Sequence, residues 1–139
     1  MEVTTAVEWA QEKNHGILIT IRKDGRPQSS DISYAVMQGK FCISATKNRA
    51  KTKNLLRDAR AVLHVTSPQT WSYVSFDGRV EVTEKAKEPN DLVCQELAAI
   101  YTAIQKKEHP DWEEFNEAMV KDQQLVIRFI PETSVGQVN

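Results

Sequence analysis

Apolar and polar residues alternate, or apolar β-branched residues run in short blocks, over much of the chain. Residues 17–22, Ile17-Leu18-Ile19-Thr20-Ile21-Arg22, end on Lys23-Asp24-Gly25-Arg26, which predicts a strand running into an Asp-Gly hairpin. The return strand is expected over residues 27–36. It sets Gln28, Ser30, Ile32 and Tyr34 on one face against Ser29, Asp31, Ser33 and Ala35 on the other. A strand this polar is poorly suited to a sheet interior and suits the lining of a cleft. Residues 40–46 predict a third strand, with Phe41, Ile43 and Ala45 on one side and Cys42, Ser44 and Thr46 on the other. Residues 61–67 give a fourth. After the break Pro68-Gln69-Thr70, residues 71–83 predict a long strand, interrupted or bulged at Asp77-Gly78. A closing strand over residues 124–130 is expected to stop before Pro131.

Helical spacing appears between these blocks. A short first helix carries Ala6, Val7, Trp9 and Ala10, with Thr4 or Thr5 as its cap and Asn14-His15-Gly16 as its stop. A second begins near Asn48 and packs through Leu55 and Leu56. Glu88-Pro89-Asn90-Asp91 opens a third, in which Val93, Leu97, Ile100, Tyr101 and Ile104 recur at intervals of three and four. Asp111 with Glu114 fits a capping box for a fourth, which carries Trp112, Phe115 and Met119. Sequential hairpins with helices packed outside them predict a mainly β fold with helices, a small antiparallel barrel.

Composition narrows the class. The 139 residues, 40% hydrophobic and 27% charged, make one soluble globular domain spanning 1–139 the expectation. No apolar run approaches membrane-spanning length and Met1-Glu2-Val3 opens no signal peptide, so no membrane partner is expected. Cys42 and Cys94 show no metal-like spacing, and two free thiols in a cytoplasmic protein is the simplest account. His15, His64 and His109 form no ligand pattern, and no metal is expected.

Charge changes the picture most. Lys47, Arg49, Lys51, Lys53, Arg57 and Arg60 are offset by Asp58 alone, a local balance of +5 in a chain of net charge −1. A cationic corner between a strand and a helix is where an anion would bind, because the helix start offers free N–H groups and a positive dipole end. Nucleic acid is not expected, since the basic window is compact and the rest of the chain is acidic.

These residues also carry a resemblance. Gly25-Arg26-Pro27-Gln28, Arg49-Ala50-Lys51-Thr52-Lys53-Asn54-Leu55, Trp71-Ser72-Tyr73, and Asp111-Trp112 through Ala118-Met119-Val120 to Asp122 occur in the order found in the split β-barrel flavin- and deazaflavin-dependent oxidoreductases. The resemblance covers roughly residues 14 to 130. It is strongest to the pyridoxamine 5′-phosphate oxidase-like, actinobacterial subgroup associated with coenzyme F420; other members of the superfamily bind FMN or haem.

The resemblance implies a split β-barrel of the FMN-binding type, and a homodimer with two equivalent cofactor sites at its interface. It also implies hydride transfer from reduced F420 to a conjugated, electrophilic small molecule. FMN dependence, or non-catalytic binding of a flavin-type cofactor, is the alternative. Arg49 and Lys51 suit the cofactor phosphate or the carboxylates of the F420 tail, and Thr52 and Asn54 are expected to add hydroxyl and amide contacts. Ser44 and Thr46 are candidate ribityl partners, Gln28 borders the redox ring, and Trp71 and Tyr73 offer aromatic planes, reached from the partner subunit. Lys53 and Arg57 are read as plain solvated charges. No catalytic side chain or general acid is apparent. The family's Arg-x-His segment for a substrate phosphate is absent, since no histidine follows His109; that argues against vitamin B6 oxidation.

Overall fold

The computed structural model describes residues 1–139. The alternating blocks form β1 (His15–Ile21), β2 (Pro27–Ser33), β3 (Ala35–Met37), β4 (Lys40–Thr46), β5 (Arg60–Ser67), β6 (Ser72–Val82) and β7 (Gln124–Gln137). The helices are α1 (Val3–Ala10), α2 (Ala50–Arg57), α3 (Leu92–Gln105) and α4 (Trp112–Lys121). All strand pairs are antiparallel, in the order β2-β1-β5-β6-β7-β4-β3. The two edge strands, β2 and β3, are joined by the single residue Tyr34, so the sheet has to curl until its edges meet. The result is the split β-barrel that the resemblance implies.

Three expectations are corrected. The return strand does not run unbroken to Val36. Tyr34, fully buried, turns inward, its hydroxyl donating to Ala10 O at 2.6 Å and its N–H to Asn14 O at 2.9 Å, and this anchor splits β2 from β3. The closing strand does not stop at Pro131. It continues to Gln137 because the β6–β7 register slips at Asp77/Gly78, leaving Glu132 unpaired as a bulge, and because β4 pairs with β7 only as far as Phe129, so Pro131 sits beside a bulge on an open edge, where a missing N–H is tolerated. The first helix starts at Val3 with Glu2 as its cap, so neither Thr4 nor Thr5 caps it. The irregularity at Asp77-Gly78 is where it was expected, and Gly78 is required there: a Cβ would run into the Ile130 carbonyl.

Two apolar clusters follow from the alternation. Inside the barrel, Leu18, Phe41, Ile43, Leu63, Phe76 and Phe129 pack together. Ala6 and Ala10 of α1 cover one end and Leu55 of α2 joins at the other. Outside, Ala35, Cys42 and Val126 on the back of the sheet are covered by Leu97, Ile100 and Phe115 of α3 and α4. Arg128 of β7 fixes α3 to this face through a two-pronged pair with Glu96 at 2.6 and 2.7 Å. Asp91 caps α3 by accepting from Cys94 N at 2.9 Å, and Asp111 caps α4 by accepting from Glu114 N at 3.1 Å. The second half of the capping box is made differently: Asp111 N–H donates to His109 Nδ1 at 3.0 Å rather than to Glu114. No helix is long and apolar enough to cross a membrane.

Candidate functional site

Arg49 is the extended N-cap of α2, and no side chain caps the helix. The first helical bond runs from Lys53 N–H to Arg49 O, so the amides of Ala50, Lys51 and Thr52 have no backbone acceptor. The corner is held rigidly from behind. Thr52, fully buried, donates its hydroxyl to Thr46 O at 2.9 Å. Asn54, 6% exposed, donates from Nδ2 to Thr20 Oγ1 and Gln28 Oε1, both at 3.0 Å. Its Oδ1 accepts from Arg57 Nη2 at 2.9 Å, and that guanidinium also donates to Ile21 O at 2.8 Å. Thr52 and Asn54 therefore face inward and spend their polar groups on the fold, which differs from the ligand contacts expected of their side chains. Arg57 is exposed, as expected, and in addition braces α2 against β1. The signal for it was its three-residue spacing from Asn54, which puts both on one helix face.

With Asn54 tied into three groups, Asn54→Ala is expected to lower stability by about 1–3 kcal/mol, read from urea denaturation, because Thr20 is left buried without its partner.

The charges at the front are unbalanced. Arg60 pairs with Asp58 at 2.9 Å, but Lys47, Arg49, Lys51 and Lys53 enter no ion pair. Lys51 is half-buried, and burial first, then the neighbouring Arg49, pushes its ammonium below the ordinary lysine value. A half-buried cation beside a second cation and three amides without a backbone acceptor is a donor set suited to an anion. It fits a phosphate or a carboxylate.

Ser44 and Thr46 lie on the outer face of β4, leading into the corner. Ser44 is exposed, and Thr46, half-buried, pairs with Gln124 of β7. Ser44 also borders a cavity of about 250 Å³ beneath α3 and α4. Gln28, half-buried, is joined to the corner through Asn54.

Trp71 and Tyr73 are not part of this group within one chain. They sit where β5 meets β6 at Ser67–Ser72, whereas α2 leads into Arg60 at the other end of β5. Seven residues of strand separate the two ends, about 23 Å. Trp71 also precedes the strand instead of lying on it: it ends a one-turn 3₁₀ helix in a left-handed conformation (φ 55°) and is 85% exposed. It lines a shallow depression with Tyr73, which is 40% exposed and stacks on His64 with ring centroids 5.6 Å apart.

Cys42 and Cys94 are buried and free, and burial pushes both thiols up. No three His, Cys, Asp or Glu side chains gather to hold a metal ion.

A family model described as pyridoxamine 5′-phosphate oxidase matches residues 4–134. The chain belongs to the pyridoxamine 5′-phosphate oxidase family. Solved structures share its fold. A conserved hypothetical protein, Rv2991 from Mycobacterium tuberculosis, is 19% identical with a TM-score of 0.76, over 98% of this chain and 84% of that one. An F420 reductase is 18% identical with a TM-score of 0.68, over 93% and 94%. HutZ, the haem storage protein of Vibrio cholerae, is 15% identical with a TM-score of 0.64, over 97% and 94%. At these identities the likeness is one of fold, and a single pyridoxamine 5′-phosphate oxidase-like barrel serves different cofactors.

Proposed function

We propose that this protein is a coenzyme F420-dependent oxidoreductase that reduces a conjugated, electrophilic small molecule. The observation that carries the reading is the set of unpaired cations and free amides at the start of α2. F420 has a phosphate and a polycarboxylate tail, which together match several unpaired cations better than the single phosphate of FMN does. The sequence resemblance to the F420-associated subgroup and the fold shared with an F420 reductase point the same way.

The chain's own residues hold and orient the cofactor. Arg49 and Lys51 meet its anionic groups, the α2 amides add neutral donors, and Ser44 and Thr46 face the polyol. Backbone and side-chain groups at Gln28, fixed by Asn54, border the ring. When bound, a reduced deazaflavin supplies hydride. With a proton from solvent, that chemistry would amount to a two-electron reduction of the substrate. A homodimer would bring the partner subunit's Trp71 and Tyr73 towards the ring, since one chain keeps them at the far end of β5. Vitamin B6 oxidation is disfavoured: no histidine follows Arg128, whose guanidinium is already committed to Glu96.

Lys51 gives the reading a pH signature. An anion binds the ammonium form, so affinity is full below the depressed Lys51 value and falls as pH rises through it. The stability of the cofactor-free protein moves oppositely. A lysine depressed by folding destabilises the native state while charged, so stability rises over the same alkaline window. Lys51→Arg should flatten both profiles, checked by cofactor titration and thermal melts across that window.

The test of function is oxidation of reduced F420 by the purified protein with a panel of quinones, tetrapyrroles and enones. Saturable turnover with one class is expected. Tight binding with no oxidation by any of them would make the protein a carrier, the role to which the fold of a haem storage protein lends weight.

A further inference from the structure

The cavity beneath α3 and α4 is not explained by the cationic corner. Its floor is the back of the sheet, where Ser33 and Ser44 stand beside the buried Cys42 and Val126. Its roof is the inner stripe of α3, Leu97, Ile100, Tyr101, Ile104 and Gln105, at helical spacings of three, four, seven and eight, with Phe115 and Met119 of α4. At Cys42 the helices lie directly on the strand. Two residues on, Ser44 is too small to fill the same gap, and a slot remains. Tyr101, Ile104 and Met119 line it and are only partly buried.

Three features define what the slot takes. No lining side chain is charged at neutral pH, so an ionised ligand would lose its hydration without a partner. The walls are mainly apolar, while Ser33, Ser44, Gln105 and Gln124 supply hydroxyl and amide groups at the margin. The gap lies between a helix layer and a sheet, and its volume of about 250 Å³ admits one thin ring system. We propose that this slot is a binding site for neutral, flat, mainly apolar molecules that carry a carbonyl group. It is separate from the anion corner but opens beside it, because Gln124 lines the slot and pairs with Thr46. The binding does not depend on the reading of function above.

The test uses the cofactor-free protein, with 2-acetylnaphthalene as a neutral probe and 2-naphthoate as its anionic counterpart of nearly the same shape. Calorimetric titration is expected to show the ketone binding at least tenfold more tightly than the carboxylate. Ile104→Trp and Met119→Trp, which fill the slot from different helices, should each weaken the ketone at least tenfold and leave F420 affinity within twofold. Either variant suffices if the other fails to fold. Hydrogen exchange on the unmodified protein adds a readout free of mutation, with protection expected over residues 101–105 and at Met119 on adding the ketone. Equal binding of the two probes, no binding of the ketone, or no effect of filling the slot overturns the proposal. Loss of F420 binding in the filled variants also overturns it, because the slot would then belong to the cofactor ring. Failure of F420 to bind the parent protein would defeat the functional reading and leave the ketone result standing.

Discussion

Arg49→Ala combined with Lys51→Ala should weaken binding of F420 roughly a hundred- to a thousandfold. Hydrogen bonds to charged groups are each worth about 1.5–3 kcal/mol. Two of them at neighbouring positions share some of their effect, so a joint loss of about 3–4 kcal/mol is expected, and each 1.4 kcal/mol is tenfold. The single Lys51→Ala change should cost about ten- to a hundredfold by the same arithmetic. Neither residue enters an ion pair in the free protein, and Lys51 carries its charge against both burial and Arg49. The melting temperature of the cofactor-free double variant is therefore expected to hold or rise slightly. Saturating cofactor should restore most of the turnover, because the corner touches no reacting atom. Affinity unchanged in moderate salt would mark the corner as an ordinary basic turn.

The largest effect on stability is expected at Phe41. It is fully buried at the centre of an aromatic cluster, with ring centroids 4.9 Å from Tyr34, 5.1 Å from Phe76 and 6.0 Å from Phe129. It also joins the two ends of the sheet: it lies on β4 and pairs with Phe129 of β7, and the Tyr34 ring it packs against is the hinge between the two edges. Phe41→Ala should lower the free energy of unfolding by about 3–5 kcal/mol. For a domain of ordinary stability that is a large share of the total, about 5–15 kcal/mol. Urea denaturation of the variant reads this directly, and Phe41→Leu should recover part of the loss by filling some of the cavity.

The strands were legible because a sheet buried on one face writes a period of two. The run from Gln28 to Tyr34 follows it residue by residue: Gln28 and Ser30 are half-buried, Ile32 and Tyr34 buried, and Ser29, Asp31 and Ser33 exposed. The break at Tyr34 was not legible, since that residue obeys the alternation. Only the folded chain brings the Ala10 carbonyl to its hydroxyl. Pro131 misled for a related reason: a proline normally ends a strand, and the bulge beside it depends on the register against β6, whose Gly78 stands 53 positions earlier in the chain and leaves no local signal.

At the candidate site, local charge marked the corner, and the resemblance picked Arg49 and Lys51 out of its six cations. Which way Thr52 and Asn54 face could not, because it depends on how the first turn of α2 docks against β1 and β4. The stripe Leu97, Ile100, Tyr101, Ile104 reads as a packing face and is one over part of its length. The slot under its end appears only once Ser44 is seen to stand opposite. Trp71 and Tyr73 share a spacing of two but not a strand, since the left-handed residue precedes β6.

The central claim is that the α2 corner receives the anionic end of a deazaflavin cofactor, and its most direct test is equilibrium titration of the purified protein with F420 and, separately, with FMN, followed by absorbance and fluorescence. F420 is expected to bind more tightly than FMN, with the difference narrowing as salt screens the corner. FMN binding more tightly, or neither cofactor binding, would contradict the account.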